Sequence, residues 1–237
     1  MSGHSKWHNI LATKTKTDAQ RSQIFTKISR EITVAVKEGG ADVNSNTRLK
    51  VAIAKARDNN MPNDKINNII KRNTEAVDYV ESTYEGYGVG GVAVIVECLT
   101  DNKNRTAGDV RHTFDKFGGS LGANGCVSYL FNKKGVIVLE KTKNFDADKA
   151  VELAIENGAD DYEESDEDMV VYTEPNKFDD LATIFKDNGY NVLSAQNDMV
   201  ASNYVTLNAD QRATFDRMMD TFEANDDVQN VYHNLDD

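Results

Sequence analysis

Several features that mark particular protein classes are scarce in this chain of 237 residues. It has only two prolines. It also has only two cysteines, which predicts neither a disulfide framework nor a zinc site. No apolar run approaches the ~20 residues that a membrane helix requires. The N-terminal MSGHSKWHN also lacks the apolar core of a secretory signal. These absences predict a soluble, cytoplasmic protein that does not bind membranes.

Signatures of catalysis are missing as well. The sequence has no nucleophile–base pattern, phosphate loop or metal-spaced cluster, and His112 and His233 are isolated. The glycines of Glu85–Gly91 precede a strand-like run, whereas a dinucleotide fingerprint follows a strand and opens a helix. Asp160–Asp168 holds seven acidic residues in nine positions without the ligand order of a calcium loop, which predicts a solvated hairpin tip. We therefore predict no enzymatic activity, no cofactor, no metal and no small-molecule substrate.

Charge is distributed unevenly along the chain. The net charge is −12, which taken whole argues against nucleic acid. Residues 1–79 nevertheless carry 14 Lys and Arg against 8 Asp and Glu, whereas residues 80–237 carry 13 against 31. This asymmetry predicts a basic part that binds phosphate and an acidic body that repels it.

The basic part has the pattern of a small helical domain. Apolar side chains recur every four residues over Ile24–Val36, which predicts a first helix that Gly39–Gly40 ends. A second helix is predicted from about Ser45, and a third begins at Pro62. The break at Met61–Pro62 resembles a helix-turn-helix only loosely, since no recognition helix is recognisable. Residues 76–83 are predicted to be a linker.

Basic side chains lie largely off these apolar stripes. In residues 1–16, lysines accompany Trp7, and such a tail can follow a nucleic-acid backbone while the ring stacks on a base. An ordinary terminus with Trp7 as a core anchor is the alternative. The candidate nucleic-acid-binding residues of the whole chain are Lys6, Trp7, Lys14, Lys16, Arg21, Lys27, Arg30, Arg48, Lys55, Arg57, Lys71, Arg72, Tyr87, Lys103 and Arg105.

A glycine-rich loop leads into the next domain. Glu85–Gly91 precedes a strand predicted at 91–99, and the loop contains Tyr87 between two glycines. We expect this loop to press against a partner, with Tyr87 stacking on a nucleotide base. The alternative is that Tyr87 packs against the strand. Lys103 and Arg105 begin the following helix, where helix amides help to hold phosphate.

The rest of the chain alternates strands and helices. The segment 133–198 has the predicted order βαββαβ, which is the ferredoxin-like split arrangement. Its predicted elements are strand 136–139, helix 147–157, hairpin 160–164 with 169–172, helix 178–187 and strand 190–195. Before it come strand 91–99, helix 104–117 and strand 126–131, and after it strand 200–207, helix 209–223 and strand 228–233.

Neither the segment 84–132 nor the segment 199–237 has enough strands to form a complete core alone. We therefore predict an α+β protein with three domains: a helical basic domain 1–79, a discontinuous ferredoxin-like α/β domain 84–132 plus 199–237, and an inserted acidic ferredoxin-like α/β domain 133–198. Sequential domains with a loose C-terminal unit are the alternative.

Four long motifs resemble the YebC/PmpR family. They are GHSKW at 3–7, IFTKISREI at 24–32, EGYGVGGVAVIVECLTDNKNRT at 85–106 and GCVSYLFNKKG at 125–135. The family includes a mitochondrial translational activator of cytochrome oxidase subunit I. The resemblance implies a helical domain and two α/β domains, one inserted in the other. It also implies a DNA-binding transcriptional regulator, or alternatively a ribosome-associated translation factor that binds ribosomal RNA and relieves stalled, proline-rich elongation.

Several positions depart from the family pattern, and Leu11–Thr13 is less basic than in many members. Gln20 and Gln23 stand where many members carry lysine, and Val89 occupies the usual proline of the glycine loop. The two glutamines weaken the predicted phosphate-binding surface, and Val89 loosens the loop. The resemblance thus implies DNA, ribosomal RNA or the ribosome as partner, with a reduced basic surface.

Overall fold

The structure is a computed structural model that describes residues 18–72 and 78–236. These residues form two compact units. One unit comprises 18–72, 78–128 and 207–233, and the other comprises 129–206 and 234–236. None of the helices in these ranges is long and apolar enough to cross a membrane.

Three helices begin the first unit: α1 (Asp18–Gly39), α2 (Thr47–Asp58) and α3 (Asn63–Arg72). The predicted apolar stripe is confirmed, because Ile28 and Ile32 are buried in one core with Leu49 and Ile66. The Asn46 side chain accepts a hydrogen bond from Leu49 N (2.9 Å) and donates to the carbonyl of residue 35 (2.7 Å). This N-cap therefore also ties α2 to the end of α1.

The same unit holds an antiparallel sheet with the strand order β3-β1-β2-β8. Its elements are β1 (Val80–Tyr87), β2 (Ala93–Thr100), helix α4 (Lys103–Lys116), β3 (Ser120–Leu121), and, after residue 206, helix α7 (Ala209–Glu223) and β8 (Val228–His233). Phe114 of α4 and Phe222 of α7 meet edge to face, with ring centroids 5.4 Å apart. The two helices thus pack side by side.

The second unit has its own antiparallel sheet, with the strand order β5-β6-β4-β7. Its elements are β4 (Phe131–Glu140), α5 (Ala147–Glu156), β5 (Ala159–Glu164), β6 (Asp168–Thr173), α6 (Phe178–Asp187) and β7 (Asn191–Ala201). Side chains at alternate positions of β4 and β6 pack on both helices, and Phe185 lies at the centre of this core. The predicted βαββαβ order of elements is confirmed.

Three predictions of secondary structure are wrong. A strand was expected at 126–131, but Ser128–Leu130 forms a 3₁₀ turn and β4 begins only at Phe131. A strand was expected at 200–207, but β7 runs without a break to Ala201, where it pairs with Phe131. The predicted linker 76–83 contains the start of β1, because Val80 pairs with β2.

Candidate nucleic-acid interface

The helices α2 and α3 carry exposed cations among the predicted residues. Arg57 of α2 and Lys71 and Arg72 of α3 are exposed, and none of the three makes an ion pair with a described residue. Lys50 shares these properties and lies seven residues before Arg57, so both project from the same face of α2. Lys50 is not among the residues predicted from the sequence, although its i, i+7 spacing from Arg57 is a usable signal.

Other predicted cations of the helical region are held by carboxylates at its surface. Arg48 contacts Glu38 (2.6 Å) and also Glu81 of β1, and Lys55 contacts Glu31 (2.6 Å). Pairs that are this exposed contribute only ~0–1 kcal/mol each. A phosphate group can therefore compete with them at modest cost.

Lys27 and Arg30 point instead toward the α/β part of their own unit. Lys27 Nζ donates to the carbonyl of Glu223 at the end of α7 (2.8 Å), and burial lowers the pKa of this lysine. Arg30 Nη1 donates to the carbonyls of Leu99 (3.0 Å) and Asp226 (2.9 Å). Both cations lie off the apolar stripe, as predicted. They are nevertheless bound to groups of the protein itself and do not form a free cationic face.

A single carboxylate, Asp227, gathers several of these groups. It accepts from Arg30 Nη1 (2.6 Å), Arg105 Nη2 (2.8 Å), Thr106 Oγ1 (2.8 Å) and Thr100 Oγ1 (3.2 Å). Burial alone raises the pKa of Asp227, but the hydrogen bonds from Arg105, Arg30 and Thr106 outweigh burial and lower the pKa to about 2. No local sequence pattern indicates this role, because Asp227 lies more than 120 residues from each of its four partners.

An open groove of about 600 Å³ lies beside this cluster. Arg30 and Arg105 line it together with four aspartates, at positions 101, 109, 226 and 227. The excess of carboxylates disfavours a phosphate ligand there. Arg105 is further committed to Asp101 (2.7 Å), whereas Lys103 beside it is exposed.

The glycine-rich segment Glu85–Gly91 is packed into the folded structure and does not project from it. Residues 85–87 belong to β1, and the half-buried Tyr87 donates its hydroxyl to the carbonyl of Cys126 (3.1 Å). A Cβ on Gly88 would approach the Phe215 ring to 3.2 Å. Neighbouring Glu85 accepts from the amides of Gly125, Val127 and Ser128 at 2.8–2.9 Å. Close packing thus accounts for the small residues of this segment.

The predicted site residues therefore fall into separate groups. Arg57, Lys71 and Arg72 share the helical region, to which Lys50 is added, and Arg21 is exposed on the first turns of α1. Tyr87 and Lys103 belong to other elements of the same unit, β1 and α4. The remaining four, Lys6, Trp7, Lys14 and Lys16, lie outside the described residues.

Within residues 18–72 and 78–236, no three His, Cys, Asp or Glu side chains are grouped so that they can hold a metal ion. Cys98 is buried in β2 and Cys126 is half-buried, and both are free thiols. The seven acidic residues at 160–168 lie on the β5–β6 hairpin, as the sequence predicts. Six of them are exposed or half-buried, but Asp168 at the start of β6 is buried instead of solvated.

Comparison with known proteins adds independent information. The model of the TACO1/YebC protein N-terminal domain matches residues 5–76, and that of the TACO1/YebC second and third domain matches residues 79–235. A "probable transcriptional regulatory protein" of Clostridium botulinum is 51% identical over 99% of this chain and 96% of its own length. One from Geobacillus kaustophilus is 47% identical over 100% and 98%.

A solved structure is also similar. The crystal structure of a conserved hypothetical protein, Aq1575 from Aquifex aeolicus, has a TM-score of 0.82 and 39% sequence identity, covering 93% of this chain and 92% of that one. The family models, the relatives and this structure all cover nearly the whole chain. The resemblance to YebC/PmpR is thereby confirmed, and the chain belongs to the TACO1/YebC family.

Proposed function

We propose that this protein regulates gene expression by binding nucleic acid through its helical region, and that it acts on DNA as a transcriptional regulator. The relatives from Clostridium botulinum and Geobacillus kaustophilus are named as probable transcriptional regulatory proteins, which favours DNA over ribosomal RNA. The helical region does the binding, while the acidic remainder of the chain keeps nucleic acid away from other surfaces.

One observation carries this proposal. Lys50, Arg57, Lys71 and Arg72 are exposed on two adjacent helices without an ion pair to any described residue. Elsewhere the chain is strongly acidic, with 31 Asp and Glu against 13 Lys and Arg beyond residue 79. Because phosphates dominate affinity for nucleic acid, cations that are free of carboxylates are the groups that a phosphate backbone meets first.

We also infer how the parts are organised. The domains are a helical domain 1–79, an α/β domain 84–132 plus 199–237, and an inserted α/β domain 133–198. The order β5-β6-β4-β7, with helices between β4 and β5 and between β6 and β7, is that of the ferredoxin-like split arrangement. The order β3-β1-β2-β8 matches the same arrangement if β1 is counted as its third strand. Both α/β domains then serve as scaffolds.

Binding measurements on the full chain test the interface. Arg57→Ala combined with Arg72→Ala should weaken binding to any duplex and should lower the slope of log K against log salt by about 1.8, since each phosphate contact contributes about 0.9. Lys177→Ala with Lys186→Ala, which removes two exposed lysines from the second unit, is the matched control and should leave the slope unchanged. Equal effects of both pairs would contradict the proposed interface.

Crosslinking in cells followed by sequencing of the bound nucleic acid identifies the target. Recovery of discrete promoter fragments supports a transcriptional regulator. Recovery of ribosomal RNA without promoter DNA would overturn that assignment in favour of a translation factor. The wild-type protein should recover more nucleic acid than the variant that carries Arg57→Ala and Arg72→Ala. If neither promoter DNA nor ribosomal RNA is enriched relative to that variant, the nucleic-acid proposal itself fails.

A further inference from the structure

The connection between α2 and α3 is a tight four-residue turn, residues 59–62. Asn60 has φ +58°, and it is the only residue other than glycine with a positive φ in the described ranges. Such a left-handed residue reverses the chain direction within one turn. Met61 follows and is 3% exposed, so the turn itself is anchored in the helical core.

Both helices of this pair rest on α1 through small or branched side chains. Ala56 in the last turn of α2 is fully buried, which lets the backbones approach closely. Ile66 of α3 is also buried in this core. The sequence predicts only a break at Met61–Pro62, without a recognisable recognition helix. In the structure it joins two packed helices of 12 and 10 residues.

The outward face of α3 is polar. Asn67, Asn68, Lys71 and Arg72 are exposed, and their side chains make no hydrogen bond or ion pair with the described residues. Asn68 and Lys71 are three positions apart and lie roughly opposite the buried Ile66. Lys65, by contrast, lies over the Phe25 ring at 4.8 Å from the centroid.

These residue types suit the edges of base pairs. An asparagine amide pairs with the N6 and N7 atoms of adenine, and lysine donates to O6 and N7 of guanine. An α-helix with its side chains is about 10–12 Å across, which fits the major groove of about 12 Å, and the 10 residues of α3 give a length of about 15 Å. Lys50 and Arg57 on α2 then lie where the first helix of a helix-turn-helix crosses the phosphate backbone.

We propose that α2, the turn 59–62 and α3 form a helix-turn-helix whose second helix enters the major groove of duplex DNA, with Asn68 and Lys71 as the base-reading residues. This inference rests on the proposed function and makes it specific. Binding to the backbone is assigned to α2, and sequence preference is assigned to two residues of α3.

Selection from a pool of random DNA duplexes with the full chain is the test. The wild-type protein should enrich a short motif. Asn68→Ala and Lys71→Ala should each lose about 5- to 150-fold of the preference at one or two positions of that motif. For duplex DNA that lacks the motif, the affinity of Asn68→Ala should be close to that of the wild type. The affinity of Lys71→Ala should fall by no more than the contribution of one phosphate contact.

Arg57→Ala is the matched control. It should weaken binding to every duplex alike, lower the salt slope by about 0.9 and retain the same motif. Because the three side chains are exposed, helical circular dichroism should be equal in all variants.

The outcomes separate this inference from the proposed function. If the protein binds duplex without enriching any motif, or keeps its motif in Asn68→Ala and Lys71→Ala, the recognition-helix assignment is overturned while nucleic-acid binding stands. A preference of more than tenfold for single-stranded or hairpin RNA over duplex overturns it as well. If no nucleic acid binds at low salt, the proposed function fails together with this inference.

Discussion

Arg30 and Asp227, which are 197 positions apart in the chain, form an ion pair of 2.6 Å that links the first helix to the start of the last strand. Their side chains are only 15% and 5% exposed. The same arginine nitrogen also reaches two backbone carbonyls. Arg30 thus ties the first helix to the Asp227 carboxylate and to two backbone carbonyls of the α/β part of its unit.

Asp227→Asn should therefore destabilise the first unit. The substitution leaves two arginines and two threonine hydroxyls without a charged acceptor, and hydrogen bonds to charged groups contribute about 1.5–3 kcal/mol. We expect the free energy of unfolding to fall by about 2–3 kcal/mol in urea denaturation. Asp226→Asn is the matched control, because Asp226 is exposed and only its carbonyl accepts from Arg30. Equal losses in both variants would contradict a special role for Asp227.

The same carboxylate should make stability depend on pH in a defined range. Its pKa is about 2 in the folded protein, below the ordinary value of 3.8, so the folded state binds the proton more weakly than the unfolded state does. The stabilisation is then complete above about pH 4 and is lost as pH falls toward 2. The difference in unfolding free energy between wild type and Asp227→Asn should shrink by about 2 kcal/mol from pH 5 to pH 2. A constant difference across this range would show that Asp227 has an ordinary pKa.

Much of the fold was predictable from local patterns. The apolar period of four in α1 reports burial directly, because one face of that helix packs on a core. The continuous apolar runs in β4 and β6 likewise report burial, because side chains on both faces of these strands are buried. Boundaries failed where pairing was long-range. The chain from 126 to 130 is apolar enough for a strand, yet Glu85 binds the amides of residues 125, 127 and 128, which holds this segment as a turn.

The candidate site was predictable only in part. Charge counts locate the basic region, and helical spacing places Arg57, Lys71 and Arg72 outside the core. Neither signal shows that Arg30 is bound to Asp227, because that partner comes from the far end of the chain. The left-handed turn at Asn60 was hidden for another reason. Asparagine tolerates positive φ without requiring it, so the sequence alone does not announce the turn.

Two glycines should respond to alanine in opposite directions. A Cβ on Gly86 of β1 would overlap with the carbonyl of Ser120 and lie within 3.0 Å of the Phe114 ring, so Gly86→Ala should destabilise by about 1–3 kcal/mol. Gly108, on the exposed face of α4, has no neighbour within 4 Å of such a Cβ. Gly108→Ala should therefore stabilise by up to about 1 kcal/mol through helix propensity. Thermal unfolding of both variants measures the contrast, and two shifts of the same sign would refute it.

Tyr87 can be assigned to packing or to base stacking by two substitutions. The hydrogen bond to the carbonyl of Cys126 leads us to expect that Tyr87→Phe loses about 1 kcal/mol of stability. Tyr87→Ala should lower the melting temperature further, while the folded fraction binds nucleic acid as the wild type does. Loss of affinity in Tyr87→Ala at an unchanged melting temperature would instead support stacking on a base, as expected from the sequence.

Removing the C-terminal part of the chain should affect the two units differently. A chain that ends at Asp198 lacks α7, whose Phe215, Met218 and Phe222 are each at most 1% exposed. Burying each such side chain contributes about 1.5–3 kcal/mol, so their loss removes an amount comparable with the whole stability of a domain. The truncated chain should bind a hydrophobic dye and aggregate.

The fragment 129–206 should fold alone, because it keeps a complete four-stranded sheet and both of its helices. The shorter fragment 133–198 is the informative control. It lacks Phe131, which is 6% exposed, and the paired ends of β4 and β7, so it should fold with a lower melting temperature. Cooperative melting of the truncated chain at the wild-type temperature would show that the first sheet does not need α7 and β8. Equal melting temperatures of the two fragments would show that residues 129–132 and 199–206 add no stability to the second unit.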